Sequence, residues 1–249
     1  MLELNRISAG YGKQTVLDGI SVDFEKGKLT SIIGVNGCGK STLLKAILGI
    51  LSLSNGEIFI DGENLLTISR NEIAKKIAYL SQGKNIPDMT VEQMVLHGRF
   101  PYLSYPRRYS SHDREVAIKA MEIVGVAEFA HKPLYSLSGG MRQNAYIAMA
   151  LAQDTDYILL DEPTTYLDIA HQLELMRILR KLADSGKGIV TVMHNLPIAF
   201  DFSDKLTVMS NGKIIAYGTP SEICESHIVE DIFGVKIKQV QKGKYLYEY

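Results

Sequence analysis

Short apolar runs alternate along this chain with longer stretches of helical period. Leu29 to Ile33 reads as a short buried strand that runs into a glycine-rich turn. Leu44, Ile47, Leu48 and Leu51 then recur at i, i+3, i+4 and i+7, which predicts a helix beginning at about Lys40. Ile58-Phe59-Ile60 and Ile77-Ala78-Tyr79-Leu80 are short strand candidates. From Pro87 to about Gln153 helical patterns dominate, broken by Phe100 to Tyr109, a loop rich in Pro, Tyr and Arg. The helix after Gly140 is apolar nearly all round (Ala145, Ile147, Ala148, Met149, Ala150, Leu151), which predicts burial. Tyr157 to Leu160 reads as a central strand, followed by a helix with Leu175, Ile178, Leu179 and Leu182 on one face, and Gly188 to Met193 as another buried strand. Asn211-Gly212, between Leu206–Met209 and Lys213–Tyr217, signals a hairpin.

Strands alternating with helices predict an α/β fold with a mainly parallel sheet covered on both faces. The expected division is a core of 1–86 and 154–249 with an inserted helical stretch of about 87–153, all within one unit of 1–249. The segment from Glu222 onward is short and mixed, and the pattern assigns it no role.

Composition narrows this picture. With 249 residues and 46% hydrophobic content, the chain buries a core without staples. Two cysteines, Cys38 and Cys224, make no disulfide framework and fit a reducing compartment. A formal net charge of −1 gives no basic excess for nucleic acid. No stretch is long and apolar enough to cross a bilayer, and Met1 to Arg6 lacks the form of a secretion signal. The expectation is a cytoplasmic protein whose membrane contact comes through a partner.

Gly34-Val35-Asn36-Gly37-Cys38-Gly39-Lys40-Ser41-Thr42 fits the phosphate-cradling pattern G-x-x-x-x-G-K-[ST] in the strand–loop–helix context it requires. Phosphates need many donors at close range. Glycines let successive N–H groups point inward, and the helix start adds its positive end. Lys40 is placed to reach β- and γ-phosphates and Ser41 to hold Mg²⁺. Cys38 lies inside this loop, where a thiol pKa tends to fall; the expectation is that its alkylation blocks nucleotide binding. Tyr157 to Pro163 is an apolar strand ending in two acids. Strands buried on both faces emit functional residues at their C-terminal ends. Asp161 suits the Mg²⁺ shell, and Glu162 suits accepting a proton from the attacking water. A cation offsets the repulsion between the two acids.

Leu137-Ser138-Gly139-Gly140-Met141-Arg142-Gln143 resembles the LSGGQ signature of ABC ATPases. Gln82 after Tyr79-Leu80-Ser81 resembles the Q-loop, Thr165-Tyr166-Leu167-Asp168 is similar to the D-loop, and His194 looks like the switch histidine. Tyr11 sits where that family places an adenine-stacking aromatic. The resemblance covers nearly the whole chain. It implies a P-loop NTPase fold with an antiparallel β portion and a helical signature subdomain. It also implies a head-to-tail homodimer in which each ATP lies between Asn36–Thr42 of one subunit and Ser138, Gly139 and Gly140 of the other, with Asp168 beside it. In these terms Glu162, His194 and Gln82 are the catalytic residues, and Ser41, Gln82 and Asp161 hold Mg²⁺. Val35 and Cys38 replace the usual proline and serine, and Asn144 and Asn195 stand where basic and acidic residues are common. His97, His112, His131, His171 and His227 read as surface or structural.

Three stretches, Gly98–Tyr102, Tyr146–Gln153 and Asp161–Gln172, look like the siderophore, haem and cobalamin importer branch. That resemblance implies an integral membrane permease dimer as partner, a substrate-binding protein acting indirectly, and a place at the cytoplasmic face of the membrane. Iron(III)-siderophore is the expected cargo; haem, cobalamin or a metal ion is the alternative within transport. A soluble ABC ATPase outside transport and a nucleotide binder without turnover are the other readings.

Overall fold

The computed structural model describes residues 1–82, 86–241 and 243–248. The chain opens with two long antiparallel strands, β1 (Leu2–Tyr11) and β2 (Gln14–Phe24), followed by β3 (Leu29–Gly34) and helix α1 (Lys40–Ile47). Next come β4 (Leu53–Ile60), β5 (Glu63–Asn64), α2 (Arg70–Lys76) and β6 (Ile77–Leu80). A helical stretch follows: α3 (Val91–Leu96), α4 (Ser111–Ile123) and α5 (Gly139–Ala152). The chain returns through β7 (Tyr157–Asp161), α6 (Ile169–Asp184), β8 (Gly188–Val192), α7 (Leu196–Phe202) and the hairpin β9 (Lys205–Ser210) and β10 (Lys213–Gly218). It closes with α8 (Pro220–Glu225), α9 (Ile228–Phe233) and a second hairpin, β11 (Lys236–Gln241) and β12 (Lys244–Glu248).

The central sheet has the order β10-β9-β3-β8-β7-β6 and is parallel except for β10. Every residue of β3, β7 and β8 is buried, as a sheet covered on both faces requires. A second, antiparallel sheet of order β2-β1-β4-β5 lies against one face. Its inward side chains, Leu2, Leu4, Ile7, Leu17 and Phe24, share a core with Leu43 and Leu44 of α1 and with Tyr157 and Leu159 of β7. The other face packs against helices, with Ile147 and Ala148 of α5 and Leu175 and Leu179 of α6 in one continuous core.

Three expectations shift. Helix α1 stops at Ile47, where the N–H groups of Leu48 and Gly49 close onto Leu44 and Ala46. Leu51 therefore lies beyond the helix, although it still packs against the same core. The stretch expected as a loop begins with a 3₁₀ turn, His97–Tyr102. The segment from Glu222 builds α9 and the β11–β12 hairpin. Residues 83–85, 242 and 249 of the expected division lie outside the described residues.

Candidate active site

The loop after β3 is shaped by its glycines. Gly37 and Gly39 adopt φ of 78° and 108°, a region that residues with a Cβ rarely enter. The turn delivers Lys40, Ser41 and Thr42 as the first residues of α1, whose N–H groups have no carbonyl partner a turn earlier. Lys40 Nζ donates to the carbonyls of Gly34 and Val35 at 2.8 and 3.0 Å, so the ammonium is held within the loop. A cavity of about 160 Å³ opens there, lined by Val16, Asn36, Gly37, Gly39, Lys40, Ser41, Thr42 and Glu162.

Cys38 lies under the loop rather than on its open side. Its side chain is buried, with only 4% of the residue exposed, and it belongs to the apolar core under the loop. Its N–H closes a turn onto Val35 and its carbonyl accepts from Gly212. The thiol lies 4.0 Å from Lys40 Nζ and is shielded from solution, so a reagent reaches it only when the loop opens.

β7 runs parallel to β8 and places Asp161 beside this loop. Ser41 Oγ donates to Asp161 Oδ1 at 3.0 Å, and the Tyr79 hydroxyl lies 3.4 Å from Oδ2. Burial pushes the Asp161 carboxyl up and the neighbouring Glu162 adds to this, while the bonds from Ser41 and Tyr79 oppose it. A buried carboxylate beside a hydroxyl offers the oxygen donors a hard divalent cation takes, so Ser41 and Asp161 fit Mg²⁺. Burial also pushes the Tyr79 hydroxyl well up, keeping it a neutral donor, with Asp161 adding to the effect.

Glu162 leaves the strand line. Its φ of 54° is left-handed, which costs a residue with a Cβ about 1–2 kcal/mol. The turn brings its carboxylate between three partners. Gln82 Nε2 donates to Oε2 at 2.7 Å, Thr165 Oγ1 donates to the same oxygen at 3.2 Å, and His194 Nε2 lies 2.5 Å from Oε1. Gln82 follows the end of β6 and His194 follows β8, so neighbouring strands on either side of β7 supply the two ends of this clamp. Held in this way at the cavity edge beside Lys40, the carboxylate can accept a proton from a water.

The remaining expected residues lie elsewhere. Tyr11 ends β1, half exposed, within electrostatic reach of Tyr79. Ser138 caps α5 by accepting from Met141 N–H, and Gly139 beside it is exposed. Among the described residues no hydrogen bond joins Ser138, Gly139 or Gly140 to the Lys40 loop. Gly139 instead lines a cleft of about 310 Å³ together with Gln82, Ile86, Arg142, Tyr146 and Glu162. Asp168 is exposed and caps α6, and the bonds it accepts from His171 hold its carboxyl below the ordinary range. Asn195 caps α7, and Asn144 donates to the Val124 carbonyl, so both departures from the common pattern have local structural work.

Sequence reading missed Val16, Tyr79 and Thr165. Tyr79 and Thr165 stand three residues from Gln82 and Glu162, inside the same motifs, which is the signal that marks them; Val16 carries no local signal.

A family model described as ABC transporter matches residues 17–165. The chain is 40% identical over 234 residues to the petrobactin import ATP-binding protein FpuD of Bacillus anthracis, covering 93% of this chain and 86% of that protein. It is 40% identical over 233 residues to the ferric enterobactin transport ATP-binding protein FepC of Escherichia coli strain K12, with coverage of 93% and 86%. Its fold is similar to the dimeric structure of MJ0796, a bacterial ABC transporter cassette, with a TM-score of 0.76, 27% identity and coverage of 88% and 99%. Phosphate loop, strand-end carboxylates, clamped glutamate and these likenesses agree: the chain belongs to the ABC transporter family, as an ATP-hydrolysing cassette.

Proposed function

We propose that this chain energises import of iron(III)-siderophore, working as a homodimer on a dimeric membrane permease that a substrate-binding protein feeds. ABC cassettes work as dimers with permease partners, and the relatives named above serve petrobactin and ferric enterobactin systems. The observation that carries the mechanistic part is the clamp on Glu162, set by Gln82, Thr165 and His194 at the edge of the cavity lined by Lys40.

In this reading Lys40, Gly37, Gly39 and the α1 N-terminus cradle the phosphates, with Asn36, Cys38 backbone and Thr42 completing the loop, and Tyr11 stacks on adenine. Ser41 and Asp161, with Gln82 at hand, would hold Mg²⁺, which would supply positive charge to the phosphates. Glu162 takes the proton of the attacking water, and His194 orients that carboxylate and meets the γ-phosphate. Ser138, Gly139 and Gly140 face the ATP of a second copy, with Asp168 beside them. Their exposed position at a helix start, away from the chain's own phosphate loop, supports that geometry. The helical stretch of about 87–153 forms a subdomain, and its cleft around Gln82, Arg142 and Tyr146 receives a cytoplasmic helix of the permease. The chain thus works at the cytoplasmic face of the membrane.

Glu162→Gln tests this. Hydrolysis falls by at least about a hundredfold, as loss of a general base predicts, while ATP binding persists and a dimer accumulates. Light scattering that reports a monomer at saturating ATP would sink the shared pocket. Iron uptake in cells carrying the chain with its permease and a labelled ferric siderophore tests the cargo; uptake of labelled haem or cobalamin instead would replace it.

A further inference from the structure

His171 joins the starts of two helices. Its backbone N–H donates to Asp168 Oδ1 at 2.9 Å, and its ring Nδ1–H donates to Oδ2 at 2.8 Å. The carboxylate therefore caps α6 and fixes the ring in one stroke. The ring held in this way lies on Gly140, the second residue of α5. A Cβ placed on Gly140 would fall 2.2 Å from His171 Cδ2 and 2.8 Å from Nε2. Gly140 is buried, while Ser138 and Gly139 before it are exposed.

The other end of this contact reaches the clamped glutamate. Thr165 N–H closes onto the Glu162 carbonyl, Leu167 N–H onto Thr164, and Gln172 Nε2 donates to Leu167 O at 2.9 Å. Glu162 to Asp168 is thus a chain of tight turns that ends at the His171 ring. An imidazole suits this place: it is flat enough to lie on a glycine Cα and carries a donor on the edge that meets Asp168.

We propose that His171 is a positioning residue for ATP hydrolysis. The Asp168–His171 pair sets the start of α5 in register with the turn after Glu162, so that Ser138 and Gly139 meet the second subunit's nucleotide in one pose. Gly140 is then a glycine because the ring takes the space of its side chain. The inference rests on the ATP-bridged dimer proposed above.

The test uses the Glu162→Gln chain as parent and reads ATP-driven association by analytical ultracentrifugation, with nucleotide affinity of the monomer measured separately. His171→Ala weakens association about tenfold, the scale of one lost hydrogen bond to a charged group, and leaves monomer affinity unchanged. His171→Asn, which keeps a donor for Asp168 but has no ring edge over Gly140, recovers little of the loss. Gly140→Ala abolishes association, and adding His171→Ala to it recovers part. Parental association in His171→Ala or His171→Asn, or a double variant no better than Gly140→Ala alone, would each overturn the proposal. A parent that never pairs removes the dimer reading and this inference together, whereas any of those outcomes in a pairing parent removes only the inference.

Discussion

At the scale of single residues, Arg99 and Asp113 form a buried ion pair outside the site. Both are buried, with Arg99 Nε 2.9 Å from Asp113 Oδ1. The arginine also donates to the Ala152 carbonyl and stacks on the Tyr102 ring at 4.0 Å. Burial alone would push the Asp113 carboxyl up. Hydrogen bonds from the Ser110 hydroxyl and N–H and the Arg99 guanidinium outweigh it, so the carboxyl sits below its ordinary value. A carboxyl lowered on folding stabilises fully above its unfolded pKa of about 3.9, and the contribution fades as pH falls through the folded value. Asp113→Asn should therefore flatten the loss of stability below about pH 4, as followed by urea unfolding across pH. Asp113→Ala, which strands a buried guanidinium, should cost about 3–5 kcal/mol at neutral pH in the same assay. The sequence marked Arg99 only through a likeness to one transporter branch; its partner came from tertiary contact.

At the scale of elements, that likeness has a packing basis. Gly98–Tyr102 and Tyr146–Gln153 touch along their length. Gly98 approaches the Met149 carbonyl so closely that a Cβ would stand 2.2 Å from it, Arg99 reaches Ala152, and the Tyr102 hydroxyl donates to Gln153. Gly98→Ala must push the 3₁₀ turn off α5 and should destabilise by about 1–3 kcal/mol, measured by thermal denaturation. The strands divide by legibility for a physical reason. β3, β7 and β8 are apolar runs buried on both faces, and their neighbours in the chain made them visible. β1 and β2 alternate, but their register shifts between Leu4 and Ile7, near Arg6 with its φ of 47°, and again before Ala9. Each bulge resets which residues point inward, so Leu2, Leu4, Ile7 and Ala9 share one face without a period of two.

At the scale of the molecule, the C-terminal hairpin closes the fold rather than trailing from it. Tyr245 of β12 is buried and its ring lies 5.1 Å from that of Phe200 in α7. Asp201, also of α7, accepts from the Tyr245 N–H and pairs with Lys244. Cys224 of α8 donates to the Ile237 carbonyl, and burial raises its thiol pKa. Tyr245→Ala should cost about 3–5 kcal/mol in chemical denaturation while leaving ATP affinity unchanged, because Tyr245 and Phe200 line neither the phosphate-loop cavity nor the cleft beside it. Equal stability would show that the hairpin is an ornament. Sequence pattern could not have placed it: β11 and β12 are short and mostly exposed, and only Tyr245 is deeply buried.

The sequence by itself determined the chemistry. A glycine loop that must turn through positive φ, a lysine and serine at a helix start, and two acids at the end of a buried strand are local necessities, legible wherever the atoms that need each other are near in the chain. Tertiary structure alone decided what those groups lean on: Glu162 clamped by Gln82 and His194 from flanking strands, Cys38 turned into the core, and His171 laid over Gly140. Such contacts join residues far apart in the chain, and burial and hydrogen bonding across that gap have no period a linear pattern can carry.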